Sequence, residues 1–150
     1  MRLMPMSARA LRRAVDATAV QDAIARAELR SSGEIRVSVS HIFWGDARAM
    51  AALAFERLGL RATAERNGVL IFVVPSRRRF VVLGDEGVHA VAGQELWDRA
   101  AAVLAARFST GDFTGGLVEA ITAVGDALAA HFPRRHPDLN ELPDDVDFGA

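Results

Sequence analysis

Two adjacent carboxylates, Asp85 and Glu86, follow the apolar run FVVL at residues 80–83 and are flanked by Gly84 and Gly87. The run is typical of a strand, and the glycines would let the chain turn sharply where that strand ends. One of the acids could cap a following helix and complement its dipole. The pair could instead bind a cation, since carboxylate oxygens are ligands that Ca²⁺ and Mg²⁺ prefer. Both interpretations stay open at this point.

The elements around this acidic pair determine which other groups can reach it. Strict alternation of apolar and polar residues over 34–40 predicts a first strand, and the wholly apolar run at 69–74 predicts a central second strand. The short link at 75–79 predicts an antiparallel hairpin between the second strand and a third at 80–83. A helix between the first two strands predicts a parallel, right-handed crossover. The end of the third strand should therefore lie beside the starts of the other two.

This topology would place Glu34, Glu65 and Asn67 near the acidic pair, at one end of the sheet. Oxygen ligands of this kind suit Ca²⁺ or Mg²⁺ better than zinc or copper. Closely spaced carboxylates repel one another, so a cation or the guanidinium group of Arg66 would be needed to hold them together. The alternative is that Glu34 and Glu65 are ordinary solvated residues at the edge of the sheet.

Three arginines, Arg77, Arg78 and Arg79, lie at the tip of the predicted hairpin, at the opposite end of the sheet. The N-terminus of the helix that follows Asp46 should lie on the same side. A helix N-terminus beside arginines can bind a phosphate, so these three residues, together with Arg66 at the acidic end, are candidate anion contacts. Charged residues are equally usual at a solvated hairpin tip, and Asp46 would repel an anion.

Composition excludes several classes of protein. The chain has 150 residues and a formal net charge of -1, so it fits one domain with no general attraction to nucleic acid. It contains no cysteine and no lysine, which excludes disulfides, cysteine metal sites, Schiff-base chemistry and a P-loop lysine. The basic N-terminus lacks the apolar core of a signal peptide, and no segment approaches the roughly 18 apolar residues that cross a bilayer. We therefore expect a cytoplasmic protein without a membrane span.

The predicted elements follow the order α-β-α-β-β-α-α, which indicates an α/β fold: a three-layer α/β/α sandwich on a small mixed sheet. Residues 20–133 would form this domain, and residues 1–19 the N-terminal part of its first helix. Residues 134–150, rich in acids and prolines, would form an acidic tail that is extended and flexible. The helices are predicted at 7–30, at 47–58, at 94–108 after a break at Gly93, and at 115–132.

Three motifs carry a resemblance to a known family: NGVLI at 67–71, FVVLGDEG at 80–87 and FSTGDFTGGL at 108–117. Over about residues 20–133 the chain resembles the TPM domain family, which includes a thylakoid-lumen protein of photosystem II repair that is described as an acid phosphatase. The resemblance implies the same α/β/α sandwich and a divalent-cation site, usually for calcium, formed by acidic loop residues. By position in the motifs, the ligands would be Asp85, Glu86 and Asn67.

Two functions follow from these residues and from the resemblance. The first is an accessory or interaction module that binds a divalent cation, Ca²⁺ rather than Mg²⁺, at the edge of the sheet. The alternative is a metal-dependent phosphatase acting on phosphate monoesters, although no catalytic residue can be named and Arg77, Arg78 and Arg79 lie at the wrong end. The sequence identifies neither a protein partner nor a phosphate ester, and it indicates no oligomeric state.

Overall fold

The computed structural model describes residues 6–41, 44–134 and 144–149. Its helices and strands confirm the predicted α/β class and the predicted order of elements. In chain order the elements are α1 (Ala8–Ala14), α2 (Ala17–Glu28), β1 (Glu34–Val39), α3 (Ala47–Arg57), β2 (Gly68–Val74), β3 (Arg79–Gly84), α4 (Glu86–Phe108) and α5 (Phe113–His131). Short 3₁₀ turns at Leu60–Ala62 and Pro75–Arg77 precede β2 and β3 respectively.

The single helix predicted over residues 7–30 is divided into α1 and α2. Val15 takes extended backbone angles, and Asp16 then caps α2 by accepting a hydrogen bond from the backbone N–H of Ala19 at 3.2 Å. Because aspartate is a strong N-cap residue, a new helix start competes with helix continuation at this point. The apolar spacing runs through both helices, so periodicity alone predicted one helix. Residues 1–5 of the predicted N-terminal part lie outside the described residues.

The three strands form one sheet in the order β1-β2-β3. β1 runs parallel to β2, with Glu34 beside Gly68, and β2 runs antiparallel to β3, with Val69 beside Gly84. The hairpin between β2 and β3 turns at Arg78, whose φ of 49° is in the left-handed region. The end of β3 therefore lies beside the starts of β1 and β2, which confirms the predicted topology.

Both faces of the sheet are covered, so the fold has three layers. One face packs against α2, α4 and α5 around a cluster of buried residues that includes Ile35, Val37 and Ile71. The other face packs against α3 around Leu70 and Phe72. Neighbouring residues of a strand point to opposite faces, so β2 supplies both clusters. Each fully buried side chain of this size contributes roughly 1.5–3 kcal/mol to the free energy of folding.

α4 begins directly after Asp85 and is interrupted at Gly93, whose backbone is not helical (φ 69°, ψ -176°). A positive φ suits glycine because a Cβ would clash with the backbone there. The predicted break at Gly93 is therefore confirmed. The part of the helix after Gly93 contributes Leu96, Leu104 and Phe108 to the main core.

α5 is 19 residues long with a mean hydropathy of 1.3, so by length and composition alone it could cross a membrane. No segment of this kind was predicted from the sequence. In the structure its apolar side chains, including Leu117, Ile121 and Val124, are buried in the core between α2 and α4. Packing between helices is therefore sufficient to account for its apolar composition.

Residues 144–149, which we call the strap, lie along the outer edge of β1. The backbone N–H of Val39 donates to the carbonyl oxygen of Asp147 at 2.7 Å, and the N–H of Asp147 donates to the carbonyl oxygen of Val37 at 2.9 Å. This arrangement differs from the flexible tail predicted for the end of the chain. Acidic and apolar residues alternate in the strap, as they do in a strand with one buried face. The part of that tail at 135–143 lies outside the described residues.

Candidate functional site

Asp85 caps α4 and is almost fully buried, at 3% exposed. Its Oδ1 accepts a hydrogen bond from the backbone N–H of Glu86 at 2.9 Å, and its carbonyl oxygen accepts from the N–H groups of Val88 and His89. The backbone N–H of Asp85 donates to the carbonyl oxygen of Gly68 at 2.9 Å, which ties the cap to the start of β2. The capping interpretation of Asp85 is therefore confirmed.

Arg66 holds the acidic pair together. Its Nε and Nη2 atoms donate to the two carboxylate oxygens of Asp85 at 2.6 and 2.9 Å, and its Nη1 donates to Oε1 of Glu86 at 3.0 Å. A bidentate contact of this kind is among the stronger hydrogen-bonded pairs in proteins. The φ of Arg66 is 53°, which is uncommon for a residue other than glycine. A strained loop thus positions the arginine that balances both acids.

The pKa of Asp85 lies below its ordinary value. Burial favours the neutral acid, but the hydrogen bonds from Arg66 and from the backbone N–H of Glu86, with the positive charges of Arg66 and Arg61, outweigh the effect of burial. Arg61 acts from 3.8 Å. The hydrogen bond to Asp85 likewise raises the pKa of Arg66. Asp85 is therefore ionised at neutral pH, and arginines supply its counter-charge.

Asn67 and Glu65 form a second group beside Arg66. The side-chain Nδ2 of Asn67 donates to Oγ of Ser32 at 3.1 Å and to Oε2 of Glu65 at 3.3 Å, and Oγ of Ser32 donates to the same carboxylate oxygen at 2.6 Å. These acceptors fix the orientation of the amide, since a carboxylate cannot donate. Asn67 is 1% exposed, and among the described residues its Oδ1 has no hydrogen-bond donor. The edge therefore contains a buried oxygen that can still accept a ligand.

Glu34 starts β1 at the same edge, but it lies beside a different carboxyl group, that of Glu28 on α2. Oε2 of Glu28 accepts a hydrogen bond from the backbone N–H of Ile35 at 2.8 Å. Burial, followed by contact with the carboxyl group of Asp144, raises the pKa of Glu28 well above its ordinary value. Glu28 could not be recognised from the sequence, because it ends a helix whose other charged residues are exposed and because Asp144 is remote in sequence.

The five predicted ligands share one edge of the sheet but do not form one cluster. Within the described residues, no three histidine, aspartate or glutamate side chains lie close enough together to hold a metal ion. The carboxylates of Asp85 and Glu86 bind Arg66, that of Glu65 binds Ser32, and Glu34 lies near Glu28. Either a cation or Arg66 was predicted to hold the acidic pair together, and in the structure the acidic pair is bound by Arg66.

A cleft of about 780 Å³ opens next to the acidic pair, between α3 and the start of α4. Its lining is mainly apolar and comes from α3 and the end of β3, and its polar groups belong to Glu56, Arg61, Asp85, Glu86 and His89. Arg61 lies beside Phe55, with its guanidinium group 5.7 Å from the ring centre. Arg61 was not among the predicted site residues, since an arginine in a loop carries no distinguishing signal. The acidic pair therefore borders a space in which a ligand could lie.

The glycines beside the acidic pair allow close packing and not a sharp turn, because neither has a positive φ. A Cβ on Gly84 would lie 2.3 Å from an atom of the Trp97 ring, so the ring packs directly on the strand backbone. A Cβ on Gly87 would lie 2.3 Å from the carbonyl oxygen of Glu65 and 2.6 Å from that of Arg66. Gly87 thus lets the first turn of α4 approach the loop that carries Arg66.

At the other end of the sheet, Arg77, Arg78 and Arg79 line a cavity of about 420 Å³ with the N-terminus of α3. This proximity of the hairpin tip to the helix N-terminus was predicted. Asp46 caps α3 by accepting a hydrogen bond from the backbone N–H of Arg48 at 3.0 Å, and it also lines the cavity. An anion at these arginines stays a prediction, and the cavity is separated from the acidic pair by the length of β3.

The chain is similar to a known domain family and to solved structures. The family model of the TPM domain matches residues 7–127. The BA42 protein of the psychrophilic bacterium Bizionia argentinensis, solved by NMR, is 37% identical, with a TM-score of 0.83 over 89% of this chain and 92% of that chain. No curated protein matches the chain.

Two other NMR structures share the fold at lower identity. The N-terminal domain of the cg2496 protein from Corynebacterium glutamicum is 19% identical, with a TM-score of 0.59 over 81% of this chain and 79% of that chain. The N-terminal domain of a protein from P. gingivalis is 21% identical, with a TM-score of 0.56 over 91% of this chain and 100% of that chain. At these identities the similarity describes the fold alone.

Proposed function

The chain belongs to the TPM domain family, and from that premise we propose that it is an accessory or interaction module that binds a divalent cation at the acidic edge of the sheet. The observation that carries the proposal is Oδ1 of Asn67, a buried oxygen for which the described residues provide no donor. Leaving a buried acceptor unsatisfied costs roughly 1–3 kcal/mol. A bound cation would satisfy this oxygen.

The surrounding ligands are all oxygens and carry negative charge. Asp85 is ionised, and Glu86, Glu65 and Glu34 lie on the same edge of the sheet. Ca²⁺ fits such a set better than Mg²⁺, because it accepts six to eight oxygens in irregular geometry, whereas Mg²⁺ requires a near-ideal octahedron.

Arg66 is the group that a cation would have to replace. Its guanidinium group now neutralises Asp85 and Glu86, and its side chain is 36% exposed. An arginine in that position can move into water without crossing the core. We therefore propose an exchange in which the cation takes over the acidic pair and Arg66 is released.

Thermal unfolding with CaCl₂, with MgCl₂ and with a chelator tests this proposal. If Ca²⁺ binds the folded state only, a concentration 100 times the Kd stabilises it by about 2.7 kcal/mol, which corresponds to roughly 5–10 °C for a chain of this size. We expect that shift to vanish in Asp85→Asn and in Asn67→Ala, and to grow in Arg66→Gln because a competing cation is removed. Asp22→Asn, an exposed charge on α2, should keep the wild-type shift.

The comparison is made between the shifts that Ca²⁺ produces in each variant, and not between their melting temperatures, because Asp85→Asn also weakens a helix cap. A wild-type protein whose melting temperature is the same with Ca²⁺ and with chelator would contradict the proposal. Equal shifts in Asp85→Asn and Asp22→Asn would place the cation elsewhere.

The alternative function, a metal-dependent phosphatase for phosphate monoesters, has one observation in its favour. Arg61 and His89 line the cleft that borders the acidic pair, so a phosphate held by a cation there could also meet a positive charge. Hydrolysis of 4-nitrophenyl phosphate with Ca²⁺ or Mg²⁺ would reveal it. Equal rates for wild type and Asp85→Asn would exclude catalysis at this edge. The cytoplasmic location expected from the sequence stays a prediction.

A further inference from the structure

The side of β1 that faces the α3 layer is polar and yet buried. Arg36 is 5% exposed and Ser38 is 2% exposed, whereas their neighbours in β2 on the same face are Leu70 and Phe72. α3 packs on β2 and β3, so it leaves a groove between itself and β1. The strap, residues 144–149, fills this groove.

The acids of the strap match the charges of the groove. The carboxylate of Asp147 accepts from both terminal nitrogens of Arg57 at 3.1 and 2.9 Å and from Oγ of Ser38 at 2.8 Å. Burial favours the neutral form of Asp147, but the hydrogen bonds from Arg57 and Ser38 outweigh it and hold its pKa below the ordinary value. Asp145 lies 3.8 Å from Nη2 of Arg36, too far for a hydrogen bond.

The apolar residues of the strap face the other way. Val146 is buried in the main core, and Phe148 packs against that core with the guanidinium group of Arg12 lying 4.5 Å from its ring centre. The strap therefore presents an acid, an apolar residue, an aspartate and an aromatic residue in turn. This is the alternation of a strand added to the edge of a sheet.

The fit of the strap to the groove is incomplete at one point. Nε of the buried Arg36 has no acceptor among the described residues, although the strap brings Asp145 to the same arginine. The side chain of Asp145 is too short to bring its carboxylate within hydrogen-bond distance of Arg36. A glutamate, which is one methylene longer, would suit that position better. A segment with glutamate at that position would therefore fit the groove better than the strap does.

We propose that this groove is a docking site for an extended acidic peptide of another protein, with the pattern glutamate, apolar residue, aspartate, aromatic residue. The strap fills the groove in the free protein and competes with the peptide. The partner would add a strand to β1, form the bidentate contact with Arg57 and satisfy Nε of Arg36. The strap lies beyond residue 127, where the family match ends, whereas the groove residues Arg36, Ser38 and Arg57 lie within the match. The proposal does not depend on cation binding.

A labelled hexapeptide, Asp-Glu-Val-Asp-Phe-Gly, tests the proposal by fluorescence anisotropy with the full-length chain. A tethered strap acts at an effective concentration of roughly millimolar, so the wild type should bind weakly. Asp147→Asn weakens the strap, so this variant should bind the hexapeptide at least about tenfold more tightly. The substitution removes the charge-assisted bidentate contact between Arg57 and the strap, whereas the peptide keeps its own aspartate for that contact. The double variant with Arg57→Ala and Asp147→Asn should lose this gain in affinity for the hexapeptide. Asp126→Asn, which breaks an exposed ion pair with Arg30, is the matched control and should bind like wild type.

Amide hydrogen exchange at Val39, whose N–H donates to the strap, reports whether the groove is filled. We expect faster exchange in Asp147→Asn and restored protection when the hexapeptide is added. Faster exchange without peptide binding would overturn the proposal, and so would unchanged exchange, because Asp147 would then not hold the strap. A variant that dimerises in sedimentation while ignoring the peptide would show that the groove takes the strap of a second copy instead.

Discussion

Glu28 is a residue whose protonation follows from its surroundings. Burial, the hydrogen bond with Asp144 and the negative charge of Glu34 together raise its pKa from 4.5 to about 10, against the hydrogen bond from the N–H of Ile35. A hydrogen bond between the carboxyl groups of Glu28 and Asp144 requires a proton between them, because an ionised carboxylate cannot donate. Because Asp144 belongs to the strap, this proton joins α2 to the strap.

The protonation of Glu28 predicts how stability depends on pH. Between about pH 5 and pH 10 the folded chain keeps a proton that the unfolded chain has lost, so the free energy of unfolding should fall as pH rises through this window. Urea unfolding at pH 6 and at pH 9 measures the slope. Glu28→Gln can make the same hydrogen bonds without titrating, so it should flatten the slope.

Asp85 and Asp147 do not disturb that comparison, because their pKa values are lowered and they titrate only in acid. Their contribution to stability is present above the ordinary carboxyl pKa and is lost as pH falls. An unchanged slope in Glu28→Gln would show that Glu28 is ionised in the folded chain. The assignment of the shared proton would then be wrong.

The positions of the acidic residues could be predicted from the sequence, but their partners could not. Strand order alone brings Glu34, Asn67 and Asp85 to one edge, since parallel and antiparallel pairing determines which strand ends meet. Which acid meets Arg66 depends on a left-handed backbone conformation that nothing in an arginine predicts. The sequence therefore indicated where oxygen ligands gather and offered Arg66 as an alternative to a cation, but it did not decide between the two.

At the scale of elements, the contact between α4 and the loop before β2 builds the candidate site. Asp85 caps the helix, and the N–H of Gly87 donates to the carbonyl oxygen of Arg66 at 2.9 Å. The two features together set the distance between the acidic pair and Asn67. Any change that separates helix and loop should therefore reduce stability and cation binding together.

Gly87→Ala makes that change. The added Cβ would meet backbone oxygens of Glu65 and Arg66, which cannot rotate away, so we expect a loss of roughly 1–3 kcal/mol in urea unfolding. Gly116→Ala is the matched control, because an added Cβ would meet side-chain atoms of Arg107 and Phe108 at 3.0 to 3.2 Å instead of backbone oxygens, and a helical alanine gains about 1 kcal/mol over glycine. Equal effects of the two substitutions would contradict the role given to Gly87.

Element order and pairing could be predicted because they follow from periodicity and from the lengths of connections. The hairpin between β2 and β3 and the crossover from β1 to β2 are both of this kind. The break between α1 and α2 depends on one cap residue, Asp16, inside a continuous apolar period. The strap depends on pairing with β1, which lies about a hundred residues earlier in the chain, and no local pattern reports such a contact.

At the scale of the whole molecule, three surfaces of a small α/β/α sandwich carry charge in different ways. The acidic edge lies at the end of β3, the arginine cavity lies at its beginning, and the strap covers the outer side of β1. The acidic edge lies within the part of the chain that matches the TPM domain, residues 7–127, and the strap lies beyond it. The fold therefore supplies both the proposed cation site and the proposed docking groove, and the strap covers that groove.

Titration of the ¹⁵N-labelled full-length chain with CaCl₂, followed by NMR, tests the central proposal most directly. If Ca²⁺ binds Oδ1 of Asn67 and releases Arg66, the side-chain amide signal of Asn67 and the Nε–H signal of Arg66 should shift together and saturate. The backbone signals of Asp85 and Glu86 should move with them. Unchanged signals of Asn67 and Arg66 in a folded protein at millimolar Ca²⁺ would contradict the account.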